Sequence, residues 1–285
     1  MLHFRDKVAV ITGAASGTGR ALAERCAQEG MKVVLGDIDQ KSLSHAKEEM
    51  KAAGATVLDV LTDVSKISDI EALAQKTLDA FGAVHLLCNN AGVITVDDLV
   101  RPIWENTLAD WEWVLNVNLW GVIHGVRVFT PIMLEQDTDC HIINTASMGG
   151  FISGPISGIY GVSKHGVVTL SETLHYNLAQ QGTKVKVSVL CPGLVDTRIV
   201  DAALKRVGEL KNDSMAGEVS PEDEQKIQAL RRPLQEGMSP TQVVDCLFNG
   251  IREGKFYILT HPERKENIRT RMENILQERN PTIPT

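Results

Sequence analysis

Tyr160 and Lys164 stand one helical turn apart, and Ser147 lies thirteen residues before the tyrosine in the stretch INTASMGG. These three side chains can move a proton to or from an alcohol oxygen. A free phenol, with a pKa of about 10, is a poor base at neutral pH. An ammonium on the same helix face favours the phenolate and lowers that pKa. A hydroxyl such as Ser147 can hydrogen-bond the same substrate oxygen and hold it in place. Tyr-x-x-x-Lys alone is a common spacing; a glycine loop at the other end of the chain gives it weight.

That loop reads Thr12-Gly13-Ala14-Ala15-Ser16-Gly17-Thr18-Gly19, between an apolar run and a helical pattern. Residues without side chains let backbone N–H groups approach a pyrophosphate at the positive end of a helix. The GxxxGxG spacing differs from the GxGxxG dinucleotide fingerprint, and no Lys-Ser/Thr pair follows Gly19 to suggest a nucleoside triphosphate site. The second apolar run ends in Gly36-Asp37, about twenty residues on, where a carboxylate can hold both ribose hydroxyls of NAD. The same charge repels the extra phosphate of NADP, so NAD(H) is the preferred cofactor. Asp37 could equally cap the helix that begins at Gln40.

Positioning these residues requires a repeated strand–helix alternation. Strands are predicted over 8–11, 32–35, 55–60, 85–89, 141–144, 186–190 and 256–259, and helices over 19–28, 40–53, 67–81, 111–135 and 159–181. The alternation predicts an α/β fold, a doubly wound parallel sheet with helices on both faces and ligands at the carboxyl ends of its strands. Residues 198–239 are charged and poor in strand signals, and are expected to form a helical lid over the site. The segment 262–279, within a C-terminal extension over 261–285, carries a thin apolar stripe of Ile268, Met272 and Ile275. It reads as a solvated surface helix or as a helix packed on a neighbouring subunit.

In this order the motifs resemble those of the classical short-chain dehydrogenase/reductase family over about residues 5–260. They are TGAASGTG at 12–19, Asp63-Val64, NNAG at 89–92, Asn118 within NVNLWG, Ser147 with the Tyr160–Lys164 pair, and Pro192-Gly193 leading to Thr197. The resemblance implies a Rossmann-like single domain over 1–260 and a Tyr–Lys–Ser–Asn proton relay. Tyr160 would be the general acid/base, Lys164 would tune it and bind the nicotinamide ribose, Ser147 would orient the substrate oxygen, and Asn118 would hold a water. Gly13, Ser16, Gly17, Thr18 and Gly19 would cradle the pyrophosphate, and Asp63 and Val64 would meet the adenine. Asn90, Ala91 and Gly92 would form a wall beneath the cofactor, with Pro192, Gly193, Val195 and Thr197 flanking the nicotinamide. Departures are minor: Thr18 and Ala146 replace other common residues, and Cys191 places a thiol where alkylation could reach the site.

The expected activity is NAD(H)-dependent interconversion of a hydrophobic secondary alcohol and its ketone; a non-catalytic dinucleotide-binding redox sensor is the alternative. The expected pocket walls, Val93, Ile94, residues 148–156 and Leu194, are mostly apolar, and no basic cluster marks a carboxylate or coenzyme A site. His85, His124, His141, His165 and His175 lack ligand spacings, so no metal is expected. A formal charge of −7 disfavours nucleic acid and anionic membranes. Five scattered cysteines without a CxxC pair suggest reduced thiols in a cytoplasmic protein, and neither a signal peptide nor a spanning apolar run is expected. The resemblance also implies a homodimer or homotetramer. Val122, Val126, Phe129, Val168 and Leu174 would face either a second subunit or the sheet.

Overall fold

Val8 to Thr12 is buried at every position, and its alternate side chains leave on opposite faces. Ala9 and Ile11 pack with Leu22, Ala23 and Cys26, whereas Val8 and Val10 pack with Ile70, Leu73 and Ala74. A strand covered on both faces needs an apolar residue at each step, which explains the continuous runs in the sequence. The computed structural model describes residues 3–204 and 221–284. Its strands are β1 (Val8–Thr12), β2 (Lys32–Asp37), β3 (Val57–Leu61), β4 (Leu86–Asn89), β5 (Cys140–Thr145), β6 (Val185–Cys191) and β7 (Tyr257–Leu259). They form one parallel sheet in the order β3-β2-β1-β4-β5-β6-β7, a doubly wound Rossmann-like fold in a single domain.

The helices, in chain order, begin with α1 (Gly17–Gln28), α2 (Gln40–Ala52), α3 (Ile67–Phe81), α4 (Val96–Val100) and α5 (Leu108–Leu115). They continue with α6 (Gly121–Glu135), α7 (Gly158–Gln180), α8 (Ile199–Leu204), α9 (Pro221–Gln235), α10 (Pro240–Arg252) and α11 (Lys265–Leu276). Residues of α1, α2 and α10 cover one sheet face through Leu22, Leu43, Leu247 and Phe248. Residues of α3, α6 and α7 cover the other through Leu73, Phe129, Met133 and Leu178. Each large side chain removed from water in this way contributes about 1.5–3 kcal/mol.

The helix predicted over 111–135 is not continuous. Between α5 and α6 lies a π-turn at Asn116–Trp120, in which the Gly121 N–H donates to the Asn116 carbonyl. The combined run Leu108–Glu135 contains an 18-residue stretch long and apolar enough, by length and composition alone, to cross a membrane, contrary to the sequence expectation. Here its buried residues Val114, Val122, Phe129 and Met133 face the protein's own core. Val122, Val126, Phe129, Val168 and Leu174 all belong to clusters under the sheet, leaving Leu108, Trp120, Val162 and Tyr176 as the large exposed apolar residues from α5 to α7.

Of the predicted lid, α8 and α9 form, and residues 205–220 lie outside the described residues. Val200, Ala203 and Ile227 pack with Ile94, Val96 and Leu99, and Tyr160 borders the same cluster. After α9 the chain is tied back to the end of β6: Asp196 N–H donates to the Met238 carbonyl and Met238 N–H to the Leu194 carbonyl, both at 3.0 Å. In α11, Ile268 packs against the cluster containing Phe151, Ile152 and Leu259, while Met272 and Ile275 are exposed.

Candidate active site

The carboxyl ends of the parallel strands open into one cleft of about 1290 Å³. Ser147 follows β5 with extended backbone; its Oγ accepts from Gly149 N–H at 3.1 Å and donates to the Pro192 carbonyl at 3.3 Å. Tyr160 and Lys164 stand on the first turns of α7. That helix lacks a side-chain cap from its own first residue, Ser157, whose φ is +61°. Asp98 of α4 supplies the cap from a distance, accepting from Ile159 N–H at 2.9 Å and Tyr160 N–H at 3.0 Å. Buried Asp98 is therefore a positioning residue for the tyrosine; its carboxyl is pushed up by burial and pulled back by those backbone donors.

Lys164 is buried, and its Nζ donates to the Thr145 carbonyl at 2.9 Å and lies 5.5 Å from the centre of the Tyr160 ring. Burial pulls its ammonium down to about 8. Burial likewise pushes the Tyr160 phenol above its ordinary value, with the Ser147 hydrogen bond offsetting part of the effect. The expected lowering of the phenol by the ammonium is thus outweighed by desolvation in the protein alone. A cation beside the ring would act in the opposite direction to burial, because it favours the phenolate.

Asn118 is fully buried at the centre of the π-turn. Its Oδ1 accepts from Val93 N–H at 2.7 Å, and its Nδ2 donates to the Val93 carbonyl at 2.9 Å and to Ser163 Oγ at 3.2 Å. The side chain therefore pins the segment after β4 to α7. A Cβ added at Gly92 would lie 3.5 Å from both Asn118 Oδ1 and Lys164 Nζ, so the two polar ends meet across this glycine.

At the other end of the cleft the loop after β1 fits a dinucleotide's pyrophosphate. Ser16 gives no side-chain cap to α1, so the first N–H groups of that helix have no hydroxyl partner. Gly13 has φ +64°, and a Cβ there would stand 2.8 Å from the Ala91 backbone; at Gly19 it would stand 2.0 Å from the Gly13 carbonyl. Thr18 lines the cleft, and Thr197 faces Gly17 across it. Asp37 does not cap α2; Asp39 does, accepting from Lys41 and Ser42 N–H. Asp37 instead accepts from Ala15 N–H at 2.9 Å and from Asp39 N–H at 3.0 Å, which holds its carboxylate beside the loop.

The remaining predicted residues border the same cleft. Asp63 accepts from Ser65, and the Val64 carbonyl lies 2.9 Å from His124 Nδ1. Asn90 and Ala91 donate backbone N–H groups to Thr12 Oγ1, at 3.0 and 3.2 Å. Met148 N–H donates to the Pro192 carbonyl, Gly193 N–H donates to His261 Nδ1 at 3.0 Å, and Val195 bridges to Met238. Cys191 is buried and pushed up to about 12, a neutral thiol rather than the alkylation site its position suggested. His165 also borders the cleft.

Thr12, Asp98, Thr145 and His261 were missed by sequence reasoning. Thr12, Asp98 and His261 bond backbone groups far along the chain, and Thr145 offers its own carbonyl to Lys164, so no local spacing marks them. Arg264 and Arg271 also line the cleft, although no basic cluster was visible in the sequence.

The family model for short chain dehydrogenase matches residues 7–208. A crystal structure of a short chain dehydrogenase/reductase from Burkholderia phymatum in complex with NAD is 46% identical, superposes with a TM-score of 0.93, and is covered over 99% of its length by all of this chain. A CLA biosynthesis dehydrogenase/reductase of Lactiplantibacillus plantarum is 32% identical over 99% of this chain and 98% of its own. A 1-deoxy-11-beta-hydroxypentalenate dehydrogenase of Streptomyces exfoliatus is 38% identical over 76% of this chain and 78% of its own.

Proposed function

The chain belongs to the short chain dehydrogenase family of oxidoreductases, and on that premise we propose that it interconverts a hydrophobic secondary alcohol and its ketone with NAD(H). The observation that carries this reading is the meeting of Ser147, Tyr160 and Lys164 in one cleft with the open N-terminus of α1. When bound, the nicotinamide supplies the hydride acceptor or donor.

The chain's own residues do the rest. Backbone N–H groups from Gly13 to Gly19 hold the pyrophosphate, and Asp37 accepts from the ribose hydroxyls. Asp63 and Val64 border the adenine; Asn90, Ala91 and Gly92 form the floor; Pro192, Gly193, Val195 and Thr197 confine the nicotinamide end. Ser147 holds the substrate oxygen, and Tyr160 takes its proton in oxidation or returns it in reduction. Lys164 stabilises the tyrosinate and binds the adjoining ribose, while Asn118 keeps the path beside Gly92 open to a water. Positioned acid–base groups of this kind contribute about 10²–10⁴ in rate.

Support for NAD comes from the Asp37 carboxylate and from the NAD held by the Burkholderia phymatum relative. The Streptomyces exfoliatus relative is named for a hydroxylated compound, which is in keeping with an alcohol substrate. The test is NADH formation at the nicotinamide absorbance over a panel of hydrophobic secondary alcohols, in parallel with NADP⁺ and with Tyr160→Phe. Turnover with NAD⁺ that disappears in the variant is expected; undiminished turnover in the variant would sink the mechanism. The protein is further inferred to be a homodimer or homotetramer, and a light-scattering mass near 31.2 kDa would refute that.

A further inference from the structure

Charge is segregated along the cleft. The acidic residues lining it, Asp37, Asp39 and Asp63, all stand at its β2–β3 end. The arginines Arg264 and Arg271 stand at the opposite end, just after β7. Five strand spacings separate β2 from β7, roughly 24 Å, so these arginines are remote from the adenosine ribose. They are near the substrate half: Ile268 lies between them in sequence and packs against the same buried cluster as Phe151 and Ile152, the segment that follows Ser147. Arg264 immediately precedes α11 and Arg271 follows Ile268 by three positions on it, and both line the cleft.

Both arginines are half-buried, and neither pairs with a carboxylate among the described residues. The lining between them and the active-site loop includes the apolar Ile103, Ile152, Ile156 and Leu234, the neutral Ser153 and Ser157, and a further cation, Arg198, after β6, but no carboxylate among the described residues. A pair of partly desolvated guanidiniums beside an apolar chamber is a receptor for one anionic group on an otherwise hydrophobic molecule, and the planar fork matches a carboxylate. Resting on the alcohol–ketone reading above, we propose that Arg264 and Arg271 bind a substrate carboxylate. The substrate class is therefore a hydrophobic hydroxy acid, or the corresponding keto acid, whose carboxylate lies at α11 while its hydroxyl reaches Ser147 and Tyr160.

The test uses straight-chain secondary hydroxy acids, from hydroxyoctanoate to hydroxydodecanoate, and the methyl ester of each. The wild-type protein is expected to use the best acid with a kcat/KM about ten- to hundredfold above that of its ester, the effect of one charge-assisted hydrogen-bonded contact. Arg264→Gln and Arg271→Gln should each erase that preference through KM while leaving the ester's constants unchanged. A general structural loss would lower acid and ester together, and this result would overturn the proposal. So would equal use of acid and ester by the wild type. Calorimetric binding of the acids to the protein alone and with NADH separates the two readings. Arginine-dependent binding without turnover upholds the carboxylate site and counts against the alcohol–ketone chemistry. Turnover of the esters without any preference for the acids does the reverse.

Discussion

Asp98 accepts the backbone N–H of Tyr160 at 3.0 Å, although 62 residues separate the two in sequence. The carboxylate replaces the cap that Ser157, in left-handed backbone, does not provide, and so sets where the first turn of α7 begins. Two elements are joined by this contact: α4, which follows β4, and the helix carrying the phenol.

Replacing Asp98 with Ala should cost about 1–2 kcal/mol, as loss of a helix cap does. It should also lower kcat more than tenfold, because one of the two freed N–H groups belongs to Tyr160 itself. Asp98→Asn keeps one acceptor and should recover part of both losses. Urea denaturation read beside kcat checks this, and an Asp98→Ala variant with undiminished kcat would show that Tyr160 is held by other means.

Asp37 has two tasks, and two substitutions separate them. Asn keeps an oxygen to accept from Ala15 N–H but removes the charge, whereas Ala removes both. Asp37→Asn should therefore lower the NAD over NADP preference in kcat/KM by about ten- to hundredfold with thermal stability nearly unchanged, since a contact to a charged group is worth about 1.5–3 kcal/mol. Asp37→Ala should lower the preference similarly and also lower Tm.

A Cβ at Gly125 would stand 2.0 Å from Asn89 Oδ1. Asn89 donates to Asn144, which donates to Ser171, in a buried chain joining β4, β5 and α7. Gly125→Ala should destabilise the protein by about 1–3 kcal/mol through overpacking. Gly161→Ala is the control, because its Cβ would find nothing closer than 3.9 Å; it should be neutral or stabilising by up to about 1 kcal/mol. Chemical denaturation of the two variants should give opposite signs.

His141 makes acid stability a specific expectation. Ser188 Oγ donates to the Lys255 carbonyl and so accepts from His141 Nε2, leaving buried Nδ1 without a partner. Burial pulls the ring down to about 3 in the folded protein, against 6.5 when exposed. The unfolded chain takes up a proton below about 6.5 that the folded chain refuses until about 3, so stability falls as pH drops through that window. The limiting slope is about 1.4 kcal/mol per pH unit. His85, pulled down to about 4 by burial, adds an effect of the same sign. Denaturation midpoints measured from neutral pH downward should flatten in His141→Gln; an unchanged profile would assign the acid sensitivity elsewhere.

The sheet was legible because a strand buried on both faces must be largely apolar, a demand that β1 meets at every position and the centre of β2 nearly so, while the edge strands β3 and β7 are partly exposed. Ser147, Tyr160 and Lys164 were legible because side-chain chemistry and helical spacing coincide there. Asp98, Thr12 and His261 were not, because what they recognise is backbone, and Thr145 was not because it acts through its own carbonyl; backbone carries no sequence signature. Asp37 illustrates the same limit: sequence could not distinguish it from Asp39 as the cap of α2, since both precede the helix and both are good acceptors. Arg264 and Arg271 lay too far along the chain from Ser147 to be read as its neighbours until α11 folded back against residues 151 and 152.

The π-turn at Asn116–Trp120 also sets the phase of the long helix it interrupts. Val114, Asn118, Val122, Gly125, Phe129 and Met133 are all buried, and the first and last stand nineteen positions apart. Five turns of regular α-helix take about eighteen residues, so an unbroken helix would carry Met133 about 100° off the stripe begun by Val114. A π-turn absorbs one extra residue. It acts as a vernier, letting a buried amide enter the row without rotating the phenylalanine and methionine behind it out of the core. Removing a single residue from this turn would shorten the interval to about eighteen, five regular turns, and leave Val114 and Met133 on one row; what would be lost is the turn that carries the buried Asn118 amide.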